Sequence, residues 1–373
     1  MSAPKFTVIV DPDLAIYKFS DSHPLDPIRV LNTYELAKPV LQSPDVLVSR
    51  ATEQVTATEL AAVHTSEFVE AVQAAGAGEY RPGFGIGSMD VPSFSQMHEA
   101  GLLVCSATLT ATKAVAGGGS IHAVNVGGGL HHAMAAKAAG FCVYNDIAVS
   151  IQWLLDHGYE RIVYIDIDAH HGDGVQSIFY DDPRVLTISI HESGKSLFPG
   201  TGEVHESGGP NAAATSVNIP LPAGTTDADW LRAIDAIVPE LLAAFDPQLI
   251  FSQHGCDSHF LDPLTHLEIS IDAQKIAHEM IHNFAHTYAD GNWIAVGGGG
   301  YELKTVVPQT WTNLLAIATH QPELAIYSDG VEVAWKTFGS GRNPASEVDR
   351  VIMQVRKEIF PHYGLIVDPN ASF

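Results

Sequence analysis

Tyr164-Ile165-Asp166-Ile167-Asp168-Ala169-His170-His171-Gly172-Asp173-Gly174 is an apolar run that ends in three carboxylates and two imidazoles within eight positions. In an extended strand, side chains at i, i+2 and i+4 share one face. Asp166, Asp168 and His170 therefore point together into whatever lies at the strand's end. Ligand-type side chains grouped in this way are costly unless a cation or a hydrogen-bond network satisfies them. A metal ion is the simplest explanation.

Outward from this stretch, short β-branched runs alternate with longer helical patterns. Strands are expected at Phe6–Val10, Ile121–Val126, Ile162–Ile167, Val185–Ile190, Gln248–Ser252 and Trp293–Val296. Helices are expected at Met97–Ala116, Asp146–His157, Asp227–Ala244, Ile271–Ala289 and Thr305–Thr319. Buried strands separated by helices of this length form βαβ units, hence an α/β fold with a central parallel sheet and helices on both faces. No linker or repeat interrupts the alternation. The expectation is one domain over 1–373, with a core at about 5–320 and a C-terminal helical extension at 321–373.

The chemical residues follow the expected strands. His131 and His132 come after Ile121–Val126, the Asp/His cluster closes Ile162–Ile167, Asp257 follows Leu249–Ser252, and Tyr301 follows Ile294–Val296 across four glycines. In open α/β sheets, sites form beyond the carboxyl ends of strands.

Catalytic zinc takes three protein ligands and keeps a position open. Asp168 and His170 supply two, and Asp257 is the best third; the oxygen-rich set also suits ferrous iron or manganese. Taken alone, Asp257 also fits a helix cap or turn. The adjacent His131 and His132 read as proton-transfer groups, because Asp166 and Asp173 remain to orient one ring each. Tyr301, behind Gly297–Gly300, could donate to a developing oxyanion, although a lone tyrosine here also fits a packed core. The glycine run lacks the Lys-Ser/Thr of a phosphate loop.

Composition narrows the class further. Hydrophobic residues make up 46% and charged residues 17%, ample for a large core. The formal charge of −24 disfavours nucleic acid as a partner and suits cationic substrates such as protein lysines or polyamines. Cys105, Cys142 and Cys256 form no disulfide framework. The sequence has no window of apolar residues long enough to span a membrane, and its start lacks the features of a signal peptide, so the expected location is cytoplasmic.

The assembled motifs resemble the histone deacetylase and acetoin-utilization family of zinc amidohydrolases. The matching segments are His23–Arg29, Gly127–Ala133, Gly140–Asp146, Asp166–Gly174, Phe198–Gly202 and Gly297–Tyr301. Gly85–Pro92 and Leu261–Leu267 look closest to the bacterial acetoin-utilization branch.

This resemblance implies an arginase-like single-domain fold, with zinc (or ferrous iron) on Asp168, His170 and Asp257. It makes His132, paired with Asp173, the general base and acid, and His131, paired with Asp166, an electrostatic stabiliser. Tyr301 polarises the acetyl carbonyl, while Gly140, Phe141, Phe198 and Leu264 bind the acyl-lysine. A structural potassium ion falls on Asp166, Asp168, His170, Ser189 and Ile190, and a second on Phe179, Asp182 and Val185. Arg29 corresponds to an arginine lining an internal acetate channel, and Glu79 and Asp90 are the candidates for a rim carboxylate. His254, beside Cys256-Asp257, departs from the commonest eukaryotic form of that loop.

The implied reaction is hydrolysis of N-acetyl-lysine amides in proteins, with an acyl-CoA synthetase as the partner suggested by kinship. Rival readings are an acetylpolyamine or small-acylamide hydrolase, an arginase-like dinuclear manganese enzyme, and a catalytically dead acyl-group reader. Oligomeric state is left open.

Overall fold

Residues 5–338 and 346–367 are described by a computed structural model, in which the alternation becomes one eight-stranded, wholly parallel sheet. The parts of the expected domain at 1–4, 339–345 and 368–373 lie outside the described residues. In chain order the strands are β1 (Phe6–Ile9), β2 (Val46–Ser49), β3 (His122–Asn125), β4 (Ile162–Asp166), β5 (Val185–Glu192), β6 (Ser216–Leu221), β7 (Leu249–Gln253) and β8 (Trp293–Val296). They lie side by side as β2-β1-β3-β8-β7-β4-β5-β6.

The helices are α1 (Ile28–Leu36), α2 (Lys38–Leu41), α3 (Ala57–Ala61), α4 (Ser66–Gly76), α5 (Met97–Ala116), α6 (Asp146–Asp156), α7 (Asp173–Phe179), α8 (Asp227–Phe245), α9 (Ile271–Tyr288) and α10 (Val306–Ala318). A further helix at Glu347–Ile359 packs on α8 and β6. The extension from 321 is thus helical only in part, since 325–337 carries no helix.

Period-two alternation sorts the strand side chains into two cores. Val163, Ile165, Ile188 and Ile250 face α8, α9 and α10, whereas Ile162, Tyr164, Leu249 and Phe251 face α5 and α6. With both faces covered, β3, β4, β5, β7 and β8 are buried at every position, which is why apolar residues fall on both faces of each strand, with polar ones mostly toward the strand ends. Each fully buried Ile, Leu or Phe contributes about 1.5–3 kcal/mol relative to exposure. Helix starts are fixed locally: Asn145 accepts from Ala148 N–H at the start of α6, and Ser270 from Ala273 N–H at the start of α9.

Two strands were not expected. The edge strand β2 is four residues long and only partly covered, so it lacks a core signal. The opposite edge, β6, contains Asn218 and Pro220, residues that depress strand propensity; the edge position tolerates the proline. The element bounds otherwise shift by one or two residues, as at β5, which runs on to Glu192.

Candidate active site

The four strands β3, β8, β7 and β4 are consecutive neighbours in the sheet. Their carboxyl ends feed the loops carrying His131 and His132, Tyr301, Asp257, and the Asp166–Asp173 cluster. Chain segments more than a hundred residues apart therefore converge at one sheet edge.

Asp168, His170 and Asp257 each place a ligand-type atom within 4.8 Å of the others. His170 Nδ1 lies 2.8 Å from Asp257 Oδ2 and 3.1 Å from Asp168 Oδ1. The outer oxygens are already held: Asp168 Oδ2 accepts from Gln253 Nε2 and the Gly299 N–H, both at 2.7 Å, and Asp257 Oδ1 accepts from the Ala169 N–H at 2.8 Å. These bonds aim the remaining carboxylate oxygens at one shared point. Gly255 and Gly299 are required beside them, because a Cβ at Gly255 would collide with Asp168 and one at Gly299 with Asp257. Both carboxylates are fully buried, and burial together with the Asp168 charge pushes Asp257 up to about 6. Two buried carboxylates and one imidazole, so pressed together, fit a divalent cation that would neutralise them.

Beside the trio, His131 Nε2 and His132 Nε2 stand 3.0 Å apart. His131 Nδ1 lies 2.8 Å from Asp166 Oδ2, and His132 Nδ1 lies 2.6 Å from Asp173 Oδ1. Burial disfavours charge on both rings, yet the outcomes diverge. The Asp166 and Asp168 carboxylates outweigh burial at His131 and raise it to about 9; burial and the His131 charge lower His132 to about 4. The opposed shifts favour the cationic form of His131 and the neutral form of His132, a division of labour suited to acid–base work.

Tyr301, held by its N–H to Asp262 Oδ2 at 2.7 Å, lines the same cavity, and burial keeps its hydroxyl protonated as a donor. The cavity, about 250 Å³, is lined by Asp90, His132, Gly140, Phe141, His170, Leu197, Phe198, Leu264 and Tyr301. All four expected substrate-binding residues are therefore brought together. Gly140 has φ +54°, and a Cβ there would strike the His132 ring. Its N–H donates to Asp90 Oδ2 at 2.8 Å, so Asp90 stands at this cavity and Glu79 does not line it. Behind the histidines lie two small voids of about 20 and 30 Å³, both lined by Arg29, which donates to the Gly300 carbonyl at 2.9 Å.

The residues expected at the first potassium site sit together, since Ser189 pairs in register with Asp166 across β4 and β5, with Ile190 next along β5. At the second, the Phe179 carbonyl accepts the Asp182 N–H at 3.0 Å, the Asp182 carbonyl accepts the Val185 N–H at 3.2 Å, and the Asp182 carboxylate is gripped by Arg184. His254 points away from the site and bonds Ser252 Oγ at 2.8 Å.

Three supporting residues had no assigned role from sequence. Asp146 accepts from the Gly129 and Leu130 N–H groups and from Thr108, fixing the loop that carries the histidines. Asp262 holds Tyr301 and the Leu264 N–H. Gln253 braces Asp168. Both aspartates lie within segments quoted above, but nothing local announces a carboxylate that binds distant backbone.

A wholly parallel sheet covered by helices, with a buried Asp/His/Asp trio and two carboxylate-oriented histidines at its carboxyl edge, is consistent with the arginase-like α/β fold. The histone deacetylase domain matches residues 23–318, and the chain belongs to that family. It is 45% identical to the acetoin utilization protein AcuC of Bacillus subtilis (strain 168) over 312 residues, covering 82% of this chain and 80% of that one. It is 35% identical to AcuC of Staphylococcus aureus (strain MRSA252), covering 93% and 90%. Among solved structures it is similar to a histone deacetylase homologue from Aquifex aeolicus (TM-score 0.80, 27% identity, 94% of this chain and 100% of that one). It is also similar to a homologue complexed with SAHA (TM-score 0.76, 28% identity, 86% and 85%). Within the family the chain is AcuC-like.

Proposed function

We propose that the chain hydrolyses N-acetyl-lysine amides in proteins, releasing acetate and free lysine. The observation that carries this reading is the convergence of Asp168, His170 and Asp257 on one point beside a 250 Å³ cavity that His132 and Tyr301 also line. Those three residues would hold zinc, or ferrous iron; when bound, the ion supplies Lewis-acid polarisation and activation of water.

The chain's own residues supply the rest. Phe141 and Phe198 give apolar walls to the lysine's methylene stem. The Gly140 carbonyl, which already accepts from Cys142 Sγ, keeps a second lone pair for the substrate amide N–H. His132, neutral and oriented by Asp173, takes the proton of the attacking water. Cationic His131 offsets negative charge as it develops, and the Tyr301 hydroxyl donates to the carbonyl oxygen. A proton from the histidine pair then goes to the departing lysine nitrogen. The small voids lined by Arg29 offer acetate a cationic inner wall.

Potassium on the carbonyls around Asp166, Asp168, His170, Ser189 and Ile190 would brace the zinc loop, and a second ion would sit by Phe179, Asp182 and Val185. An acetylated acyl-CoA synthetase is the proposed protein substrate. This rests on likeness to proteins named for acetoin utilization. No helix of the described residues is long and apolar enough to cross a membrane.

The deciding experiment compares turnover on an acetyl-lysine peptide and on acetylputrescine, with His132→Ala as control. Preference for the peptide supports the proposal; preference for acetylputrescine favours the small-acylamide reading. Acetyl-lysine proteomics with and without the active protein then identifies the substrate.

A further inference from the structure

At the opposite end of β3 from the catalytic histidines, four other histidines gather. His122 is the first residue of β3, His282 and His286 stand one turn apart on α9, and His320 follows α10 with φ +57°. One ring nitrogen from each lies within 4.8 Å of all the others.

The arrangement is close to a regular tetrahedron. His122 lies 5.1, 5.0 and 5.1 Å from His282, His286 and His320, measured between ring centres. The other three separations are 4.7, 4.9 and 5.2 Å. An imidazole bound through nitrogen at about 2.0–2.1 Å puts its ring centre about 3.2 Å from the ion, so tetrahedral ligation sets ring centres about 5 Å apart and nitrogens about 3.3 Å apart. His286 Nε2 is 3.2 Å from His282 Nε2 and 3.1 Å from His320 Nε2.

Hydrogen bonding does not account for this packing. A ring nitrogen carries either one hydrogen or one lone pair, so His286 Nε2 cannot satisfy two neighbours at once. His122 gives the independent sign. Its Nδ1 lies 2.6 Å from the Ala318 carbonyl, which can only accept, so the hydrogen is on Nδ1 and Nε2 presents a lone pair. That Nε2 is buried without a hydrogen-bond partner, in a side chain only 1% exposed. A cavity of about 450 Å³ lined by Glu279, His282 and His320 gives an ion entry from solvent.

We infer that His122, His282, His286 and His320 form a second, four-imidazole site for a divalent first-row metal ion such as zinc. With all four positions filled by protein it is a closed, structural site that ties the start of β3 to the ends of α9 and α10. Its existence does not depend on the reading of the catalytic site.

The test uses the full-length chain, stripped with chelator, loaded with excess Zn2+, desalted and assayed by elemental mass spectrometry. The wild type is compared with His286→Ala/His320→Ala, whose substituted side chains are exposed, so the fold, checked by circular dichroism, is retained. The expected result is one zinc per chain fewer in the variant than in the wild type, with acetyl-lysine hydrolysis unchanged. Co2+ loading should likewise give tetrahedral visible absorption that is reduced in the variant. Equal zinc in wild type and variant overturns the inference, whatever the total. A total of one in wild type and none in the variant would support this site and count against a catalytic zinc.

Discussion

Asp173 Oδ1 lies 2.6 Å from His132 Nδ1, on the far side of the imidazole from His131. An acceptor there fixes the hydrogen on Nδ1 and so puts the ring's lone pair on Nε2, the nitrogen facing His131. Asp173→Asn offers an amide in place of the carboxylate and removes the negative charge that supports a developing imidazolium. The expected outcome is a fall in kcat of about two orders of magnitude, within the range of general acid–base contributions. Steady-state kinetics with parallel metal analysis checks it: metal content should stay at the wild-type value.

The opposed shifts of the two rings give a pH profile with a sign. His132 must be neutral, so kcat/KM rises as pH passes upward through the His132 value of about 4. His131 must be cationic, so activity declines as pH passes its value of about 9. Asp166→Asn removes a charge that favours the imidazolium, so the alkaline limb should move toward lower pH. An alkaline limb unmoved by Asp166→Asn would argue that His131 is not the group titrating there.

Tyr301→Phe deletes one hydroxyl donor from the cavity wall and leaves the Asp262 contact, made by backbone, in place. Turnover should fall about two to three orders of magnitude, with metal content intact. Unchanged turnover would remove the carbonyl-polarising role.

Gly140→Ala tests how tightly the cavity wall abuts the base. A Cβ at this position meets the His132 ring, and φ +54° disfavours any side chain. We expect kcat/KM to drop at least about a hundredfold while circular dichroism stays native, since a displacement of about 1 Å at a reacting group costs that much.

Asp146 is a stability residue serving the site. Asp146→Ala leaves the buried Gly129 and Leu130 N–H groups and the Thr108 hydroxyl without their acceptor. At about 1–3 kcal/mol per abandoned donor, urea unfolding should show a loss of at least about 3 kcal/mol.

The central sheet and the Asp168/His170 half of the trio were legible because their signals are local, whereas Asp257, 87 residues from His170, could be offered only as the best third partner. A strand buried on both faces writes an apolar run, and Asp168 and His170 advertise a shared face by spacing of two. What stayed hidden depends on partners far along the chain. Asp146 and Asp262 matter through backbone groups they hold, at separations of 16 and 39 residues for Leu130 and Tyr301. The quartet centred on His122 is scattered over β3, α9 and the residue run after α10, and none of its members was singled out from the sequence. The strand β2 escaped because it is only partly covered, and β6, though buried throughout, because Asn218 and Pro220 interrupt its pattern.

The most direct test measures acetate release from an acetyl-lysine peptide by chelator-stripped protein, by the same protein reloaded with Zn2+, and by reloaded Asp257→Ala. If Asp168, His170 and Asp257 grip the reactive ion, acetate appears only with reloaded wild type, and Asp257→Ala stays at the stripped level. Acetate release from Asp257→Ala or from stripped protein at the wild-type rate would contradict the account.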